Sequence, residues 1–277
     1  MIKKESKNIS EEIIEHYTGK YDETKRLRDG FGRLERERTQ ELIMRYVPCH
    51  QSKVVDVGGA SGIYSFHIAS HGHEVHLVDI VPKHIEQAKT LASQADMPEL
   101  ASICIGDARH LDFPDNFADA IVMHGPLYHL IDREDRLKAI AEAKRVLKPM
   151  GTLLAFAITR YAGAIYGILK GYIYDQNYFR MTAREVNTGL RTEAPSWLNT
   201  FSSAYFHLPN ELMAELERGG LIFEDLIGVI GPAWMVPDID SDWDDPPKRE
   251  VIIQLARMFE KEPLLGPRIL GIARKSK

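Results

Sequence analysis

The sequence predicts an α/β fold: a seven-stranded, mostly parallel sheet with helices on both faces, an N-terminal helical cap, and a helical, aromatic-rich insertion after the fifth strand. Three observations predict it. From Lys53 onward, short apolar runs alternate with helix-like stretches, which is how βαβ units with a parallel sheet look in sequence. Glycine and proline close those stretches, at Gly72, at Lys148-Pro149-Met150-Gly151 and at Gly219-Gly220. A chain of 277 residues, 44% hydrophobic and 27% charged, is long enough and ordinary enough in composition to bury one large core and carry a lid.

In chain order, residues 1–48 are charged and helical in pattern, with Leu42, Ile43, Tyr46 and Val47 at helical spacing, and are read as the cap. Residues 49–158 form the core. Val54-Val55-Asp56-Val57 is its first strand, followed by a glycine-rich turn and a helix that stops near Gly72. Val75 to Asp79 is the second strand, and Pro82 suits the first turn of the helix behind it. Ser102 to Ile105 and Ala120 to Met123 are the third and fourth strands. Asp132 is a plausible N-cap for a helix carrying Leu137, Ile140, Ala141, Val146 and Leu147, and Thr152 to Ile158 is the fifth strand. Residues 159–207 break the rhythm and are read as an insertion over the active end of the sheet. Residues 208–277 complete the core, with a helix from Pro209 to Arg218, a strand from Leu221 to Val229, a helix from Arg249 to Phe259 and a strand from Ile269 to Ala273.

Composition narrows the function. A formal charge of −5 and a pI near 6.1 argue against a general nucleic-acid binder, which concentrates basic charge over a domain. Cys49 and Cys104 are too few for a disulfide framework and too far apart for a zinc knuckle, so both are expected to be reduced thiols. His71 and His73 flank Gly72 without a matching cluster and are read as surface histidines, and no metal is expected. The start, Met1-Ile2-Lys3-Lys4-Glu5-Ser6, has no signal-like apolar stretch, and no run is long enough to span a bilayer. The expectation is a cytoplasmic protein with neither nucleic acid nor membrane as partner.

In an open α/β sheet, ligands bind beyond the carboxyl ends of the strands, so the loops after the first four strands share one crevice. The first loop, Asp56-Val57-Gly58-Gly59-Ala60-Ser61-Gly62, lets backbone approach a ligand and aims the N–H groups of a helix at it. A tight turn with no ligand would look the same. Asp79 follows about 20 residues later, where a carboxylate can accept from two ribose hydroxyls. Gly106-Asp107-Ala108 follows the third strand, where a carboxylate can accept from an adenine amino group. Each of these acids also reads, alone, as an ordinary turn or cap residue.

Order and spacing together resemble the class I S-adenosylmethionine-dependent methyltransferases, over about Val54 to Ile158 and more loosely to Lys277. The resemblance implies a Rossmann-like fold, S-adenosyl-L-methionine as cofactor, and a small-molecule acceptor. It implies that Asp56 orders the turn and helps hold the cofactor's amino group, that Gly58, Gly59, Ala60 and Gly62 form the turn around the cofactor, and that Asp79 with Ile80, and Asp107 with Ala108, meet ribose and adenine. His124 would border the methionine portion. One departure is Ala60, where the family pattern often has glycine.

Two alternatives stay open. A nicotinamide-dependent oxidoreductase would share the glycine turn and the ribose acid, but the G-x-G-x-x-G pattern fails at Ala60 and Ile63. A non-catalytic protein that binds the S-adenosyl ligand would have the same sequence features. The loop His124-Gly125-Pro126-Leu127-Tyr128-His129-Leu130 supplies the candidate catalytic residues His124, Tyr128 and His129, with the histidines as bases if the acceptor must lose a proton. Tyr17, Tyr21, Arg28 and Arg33 are candidates to fold over the cofactor, and the insertion's aromatic residues, among them Tyr174, Phe179, Trp197 and Tyr205, are candidates to line an acceptor pocket. The acidic tract Asp238 to Asp245 lacks the glycine and distal glutamate of a calcium loop and is expected to be solvated.

Overall fold

A computed structural model describes residues 9–19, 23–49, 51–201 and 203–277. Three helices come first, α1 (Ile9–Thr18), α2 (Glu23–Arg26) and α3 (Phe31–Tyr46). The core then runs β1 (Lys53–Val57), α4 (Ile63–Ser70), β2 (Glu74–Asp79), α5 (Pro82–Ala92), β3 (Ser102–Ile105), β4 (Ala118–His124), α6 (Pro126–His129), α7 (Arg133–Val146) and β5 (Leu147–Thr159). After it come α8 (Ala162–Lys170), α9 (Gln176–Thr188), the short strands β6 (Leu190–Arg191) and β7 (Ala204–His207), α10 (Pro209–Arg218), β8 (Ile222–Gly228), α11 (Ile239–Trp243), α12 (Pro246–Met258) and β9 (Arg268–Arg274).

The central order is β3-β2-β1-β4-β5, all parallel, and β9 continues it antiparallel to β5 with β8 antiparallel beyond. These are the seven strands expected from the sequence. Two more appear inside the insertion: β7 adds in parallel to the carboxyl end of β5, pairing Ile158 with Phe206, and β6 is its antiparallel partner. Winding reverses between β1 and β4, so the crevice opens at the ends of those two strands.

Strand residues alternate between two cores. Val54, Leu77, Val122, Leu154 and Ile272 face one cluster with α3, α4, α5 and α12, whereas Val55, Val57, Ile121, Leu153 and Ala273 face the other with α7 and α10. Both faces of the strands are therefore apolar, which is why they read as continuous hydrophobic runs. Helix starts follow side-chain acceptors: Asp132 accepts from Glu134 N, Asp175 from Asn177 N and Tyr178 N, and Asp245 from Lys248 N.

Within residues 1–48, α3 is core structure: Leu34, Leu42 and Ile43 are fully buried and pack with α12 and the β-sheet residues. Arg38 on the same helix is also fully buried, paired with Glu41 and Glu260 and donating to the Val229 carbonyl at 3.3 Å. Two expectations need correction. His73 is buried and accepts from Ser52 N at 3.3 Å, because its strand entry tucks the ring under β1, while His71 is exposed as expected. The acidic tract is a short helix, α11, whose Ile239 and Trp243 are buried and whose Asp242 pairs with Lys248 at 2.7 Å. Cys49 and Cys104 are both free thiols. Among the described residues, no helix is long and apolar enough to cross a membrane.

Candidate functional site

A cavity of about 870 Å³, part of it open to solvent, lies at the carboxyl ends of β1, β2, β3 and β4. All four loops singled out in the sequence reach it. The first contributes Val57 to Ser61, the second Asp79 to Val81, the third Gly106 to Ala108, and the fourth His124 to Pro126 and Tyr128 to Leu130.

The β1 turn is built by close approach. Gly58 has φ +79°, and a Cβ there would stand 2.8 Å from the His124 carbonyl oxygen and from Pro126 Cδ, so the first and fourth loops meet only because this residue lacks a side chain. Two residues on, Ala60 takes φ +49°, a left-handed conformation that a Cβ disfavours. Its N–H donates to Asp79 Oδ2 at 2.9 Å, which holds the turn in that shape. Asp79 also accepts from Val81 N at 2.8 Å and lies 3.2 Å from His84 Nδ1.

Asp56 and Gly62 lie beneath the turn and do not line the cavity. The Asp56 carboxyl is fully buried, accepts from Ser65 Oγ at 2.6 Å, and is pushed up from 3.8 to about 7 by burial, with the charge of Asp79 adding to it. Its Oδ1 has no partner among the described residues, and neither do Ser61 Oγ and His124 Nε2, which both belong to cavity-lining residues. A buried polar atom without a partner is costly. Three of them around one turn fit a polar ligand with donors and acceptors, such as an amino acid end.

Asp107 lines the cavity but is gripped by Arg109, whose backbone and guanidinium N–H groups donate at 2.6–3.1 Å. Burial opposes its charge, and the Arg109 hydrogen bonds and charge outweigh that and hold its carboxyl below the usual range. Arg109 reaches further, to Asp135 at 2.7 Å and to Ser10 Oγ on α1 at 3.0 Å.

The three candidate catalytic residues come together on β4 and α6. His124 and His129 are both pushed down from 6.5 to about 3, by burial first, with Arg268 adding to the effect at His124 and His16 at His129. Both are therefore neutral imidazoles at neutral pH. His129 Nε2 meets Tyr17 OH at 3.0 Å. Tyr128 is buried with the Arg268 guanidinium 4.8 Å from its ring centre, and that arginine is paired with the buried Glu35 at 3.3 Å.

The cap candidates separate. Tyr17 lines the cavity, together with Ile13 of α1 and Leu27 just after α2. Arg33 points elsewhere: it pairs with Asp244 at 2.9 Å and donates to the Asp240 carbonyl at 3.3 Å, on the far side of α3. Arg28 is exposed and Tyr21 lies outside the described residues. The insertion does not supply the expected aromatic lining, since no described residue of 159–207 borders the cavity. Ala162 and Phe206 pack behind Tyr128, and the ring of Phe201 lies 5.1 Å from His129 and 6.2 Å from Tyr128. Tyr172, Tyr178 and Trp197 instead pack on one another.

Sequence reasoning did not single out Ile13, Leu27, Ser61, Tyr64 or His84, all of which line the cavity. Ser61 and Tyr64 were within reach, being in the turn and in the first turn of α4, and His84 stands one helical turn past Asp79. Nothing local marks Ile13 or Leu27. Among the described residues, no group of three histidine, cysteine or acidic side chains is arranged to hold a metal ion.

Comparison with known proteins agrees with this geometry. Residues 55–155 match the family described as a methyltransferase domain. The ubiquinone/menaquinone biosynthesis C-methyltransferase of Rickettsia massiliae is 26% identical over 142 residues, covering 49% of this chain and 53% of the relative. The glycine/sarcosine N-methyltransferase of Parasynechococcus marenigrum is 30% identical over 154 residues, covering 54% and 52%. The chain thus spans about half the length of the curated relatives it matches. Among solved structures, an S-adenosylmethionine-dependent methyltransferase of Methanosarcina mazei superposes with a TM-score of 0.59 at 19% identity, covering 85% of this chain and 97% of that one. The cyclase SpnF superposes with a TM-score of 0.56 at 17% identity, covering 87% and 80%. At such identities the likeness is one of fold, and SpnF is a reminder that the fold alone does not name a reaction.

Proposed function

The chain carries a class I S-adenosylmethionine-dependent methyltransferase domain, and from that premise we propose that it is a cytoplasmic enzyme transferring a methyl group to a small, uncharged, partly apolar acceptor by direct in-line displacement. The observation that carries this reading is the mixed polarity of the cavity lining. Asp79, Asp107 and the unpartnered Ser61 Oγ share the lining with the apolar and aromatic side chains of Ile13, Tyr17, Leu27, Tyr128 and Leu130, so one cavity offers polar groups for a cofactor and apolar surface for an acceptor.

The residues present fit the cofactor. Asp79 and Asp107 would hold its ribose and adenine, the Gly58 to Ser61 backbone would pass beneath it with Asp56 ordering the turn from below, and the unpartnered Ser61 Oγ would lie by its amino acid end. When bound, S-adenosylmethionine supplies an electrophilic methyl group on a sulfonium. The protein's part is to align the acceptor with that methyl and to exclude water. Tyr17 and the Tyr128-His129 segment belong to the lining, and their burial keeps the acceptor desolvated.

The histidines act by orientation more than by basicity. An imidazole held near 3 is a poor resting place for a proton at neutral pH, but its lone pair accepts a hydrogen bond from an acceptor hydroxyl or amine. His124 Nε2 is the atom for this, since His129 Nε2 already meets Tyr17. Beside these neutral rings, the apolar and aromatic side chains of Ile13, Tyr17, Leu27, Tyr128 and Leu130 suit an aromatic acceptor whose nucleophilic atom belongs to a phenol or hydroquinone better than a small zwitterion such as glycine.

The test has two stages. Calorimetry should detect S-adenosylhomocysteine binding and no heat from NAD; the reverse result would overturn the premise for this chain. A radiolabelled methyl-transfer screen should then find turnover with neutral aromatic acceptors and little with glycine or sarcosine. Cofactor binding with no turnover across both acceptor classes would favour the non-catalytic alternative.

A further inference from the structure

We propose that the corner formed by α8, the turn Tyr172–Tyr174 and α9 docks this protein onto an anionic lipid surface. Twelve large apolar side chains are exposed among the described residues, and six of them fall between positions 161 and 197. Isolated exposed apolar residues are ordinary, but a contiguous group is a contact surface. Ile168 and Leu169 are 62% and 46% exposed at the end of α8, Tyr174 is 87% exposed in the turn, and Phe179 is 60% exposed in the first turns of α9. Tyr174 and Phe179 border one shallow concavity together with Arg180, and the two helices and the turn pack against one another.

The charge around this corner selects the occupant. Lys170, Arg180 and Arg184 are exposed, whereas the two acids between Ile168 and Gly189 are spent internally and the exposed Glu193 lies beyond α9. Asp175 caps α9, and the buried Glu185 pairs with Arg191 at 2.6 Å. A cationic rim around an apolar tip, on a chain whose formal charge is −5, complements a negative surface. It opposes a second copy of the same corner by like charge. Aromatic and aliphatic side chains flanked by lysine and arginine are the combination that settles at the headgroup level of a bilayer.

The corner is presented rigidly from behind. Tyr178 donates to the Gly163 carbonyl at 2.8 Å, tying α9 to α8, and Tyr172 packs edge-on against Trp197 at 5.0 Å. Of the aromatic side chains expected to line the acceptor pocket, Tyr174 and Phe179 therefore face outward and Trp197 braces this corner, while Tyr205 packs against the Arg136 guanidinium. Docking at a surface needs no spanning helix, so this proposal departs from the sequence expectation of no membrane partner, which rested on the lack of a spanning run.

The experiment is flotation of the full chain with vesicles of phosphatidylcholine containing phosphatidylglycerol, and with vesicles of phosphatidylcholine alone. The expected result is binding to the anionic vesicles at least about tenfold tighter than to the neutral ones, and weaker with added salt. Tyr174→Ser with Phe179→Ser should reduce it at least about tenfold, and so should Lys170→Glu with Arg184→Glu, a pair that touches only exposed side chains. All variants should keep the parent's affinity for S-adenosylhomocysteine, which marks them as folded and separates this proposal from the catalytic one. Absent or charge-indifferent vesicle binding would overturn it. So would folded variants that bind as the parent does, or a concentration-dependent dimer dispersed by the same substitutions.

Discussion

The phenol of Tyr17 meets Nε2 of His129 at 3.0 Å across 112 positions of sequence, joining α1 to α6 over the cavity. The same helix is held by Lys83 Nζ, which donates to the Tyr17 carbonyl at 3.1 Å, and by Arg109, which donates to Ser10 Oγ. Tyr17→Phe removes one of these ties and leaves a buried imidazole nitrogen without its partner, a loss of about 1–3 kcal/mol. Affinity for S-adenosylhomocysteine should fall about fivefold or more, with the main thermal transition nearly unchanged because α1 contributes little to either core. An unaltered affinity would show that α1 does not help retain the ligand.

Asp79 has a double task, holding the N–H groups of Ala60 and Val81 and facing the cavity. Asp79→Ala should weaken cofactor binding by at least about tenfold, since charge-assisted hydrogen bonds are worth about 1.5–3 kcal/mol. It should also lower the melting temperature. A variant that melts early but binds as tightly as the parent would confine Asp79 to shaping the turn.

Protons should move with ligand and with folding. Asp56 at about 7 is part-protonated at neutrality, and a cationic amino group bound above the turn would favour loss of that proton. Calorimetry of S-adenosylhomocysteine binding near pH 7 should thus depend on the buffer's ionisation enthalpy in the sense of proton release. For folding, His124 and His129 fall from 6.5 to about 3, so between those values the unfolded chain carries about two more protons. Asp56, raised from 3.8 to about 7, offsets one of them. The lowered His67 and His207 act in the same direction as His124 and His129, so the unfolded chain binds more protons and stability falls on acidification from 6.5 toward 4. Denaturant titrations over that window measure the slope, and stability that rose on acidification would contradict the burial of these rings.

Ala60 in a left-handed conformation costs about 1 kcal/mol relative to glycine. Ala60→Gly removes that strain but loosens the unfolded chain, so net stability should change by less than about 1 kcal/mol. Cofactor affinity should be equal or higher. A drop of about tenfold or more would mean that the Ala60 methyl itself packs against the ligand.

The strands β1, β2, β4 and β5 were legible because each is buried on both faces and so reads as an apolar run, and β3, β8 and β9 because turn residues bracket them. The loops that line the cavity followed from topology, since Asp79 and Asp107 end strands whose order the βαβ pattern dictates. What escaped was tertiary. Arg33 and Arg28 are indistinguishable in composition from residues that face a ligand, yet Arg33 serves α11. The insertion's tyrosines carried the right chemistry for a pocket, but whether a helix turns its aromatic face inward depends on what it packs against, and β7, a four-residue strand, set that orientation without any local signature. Leu27 and Ile13 entered the cavity through a chain path that no periodicity encodes.

The placement of β9 bears on how the chain reaches its native state. Thr152 on β5 pairs with Arg274 on β9, and Leu153 with Ala273, so one edge of the parallel half-sheet waits for a partner far along the sequence. Until that partner docks, β5 presents unpaired backbone N–H and C=O groups along the edge that β9 covers. Such late pairing raises contact order and slows folding. Refolding yield should therefore fall with rising protein concentration, as open β5 edges find each other before β9 arrives.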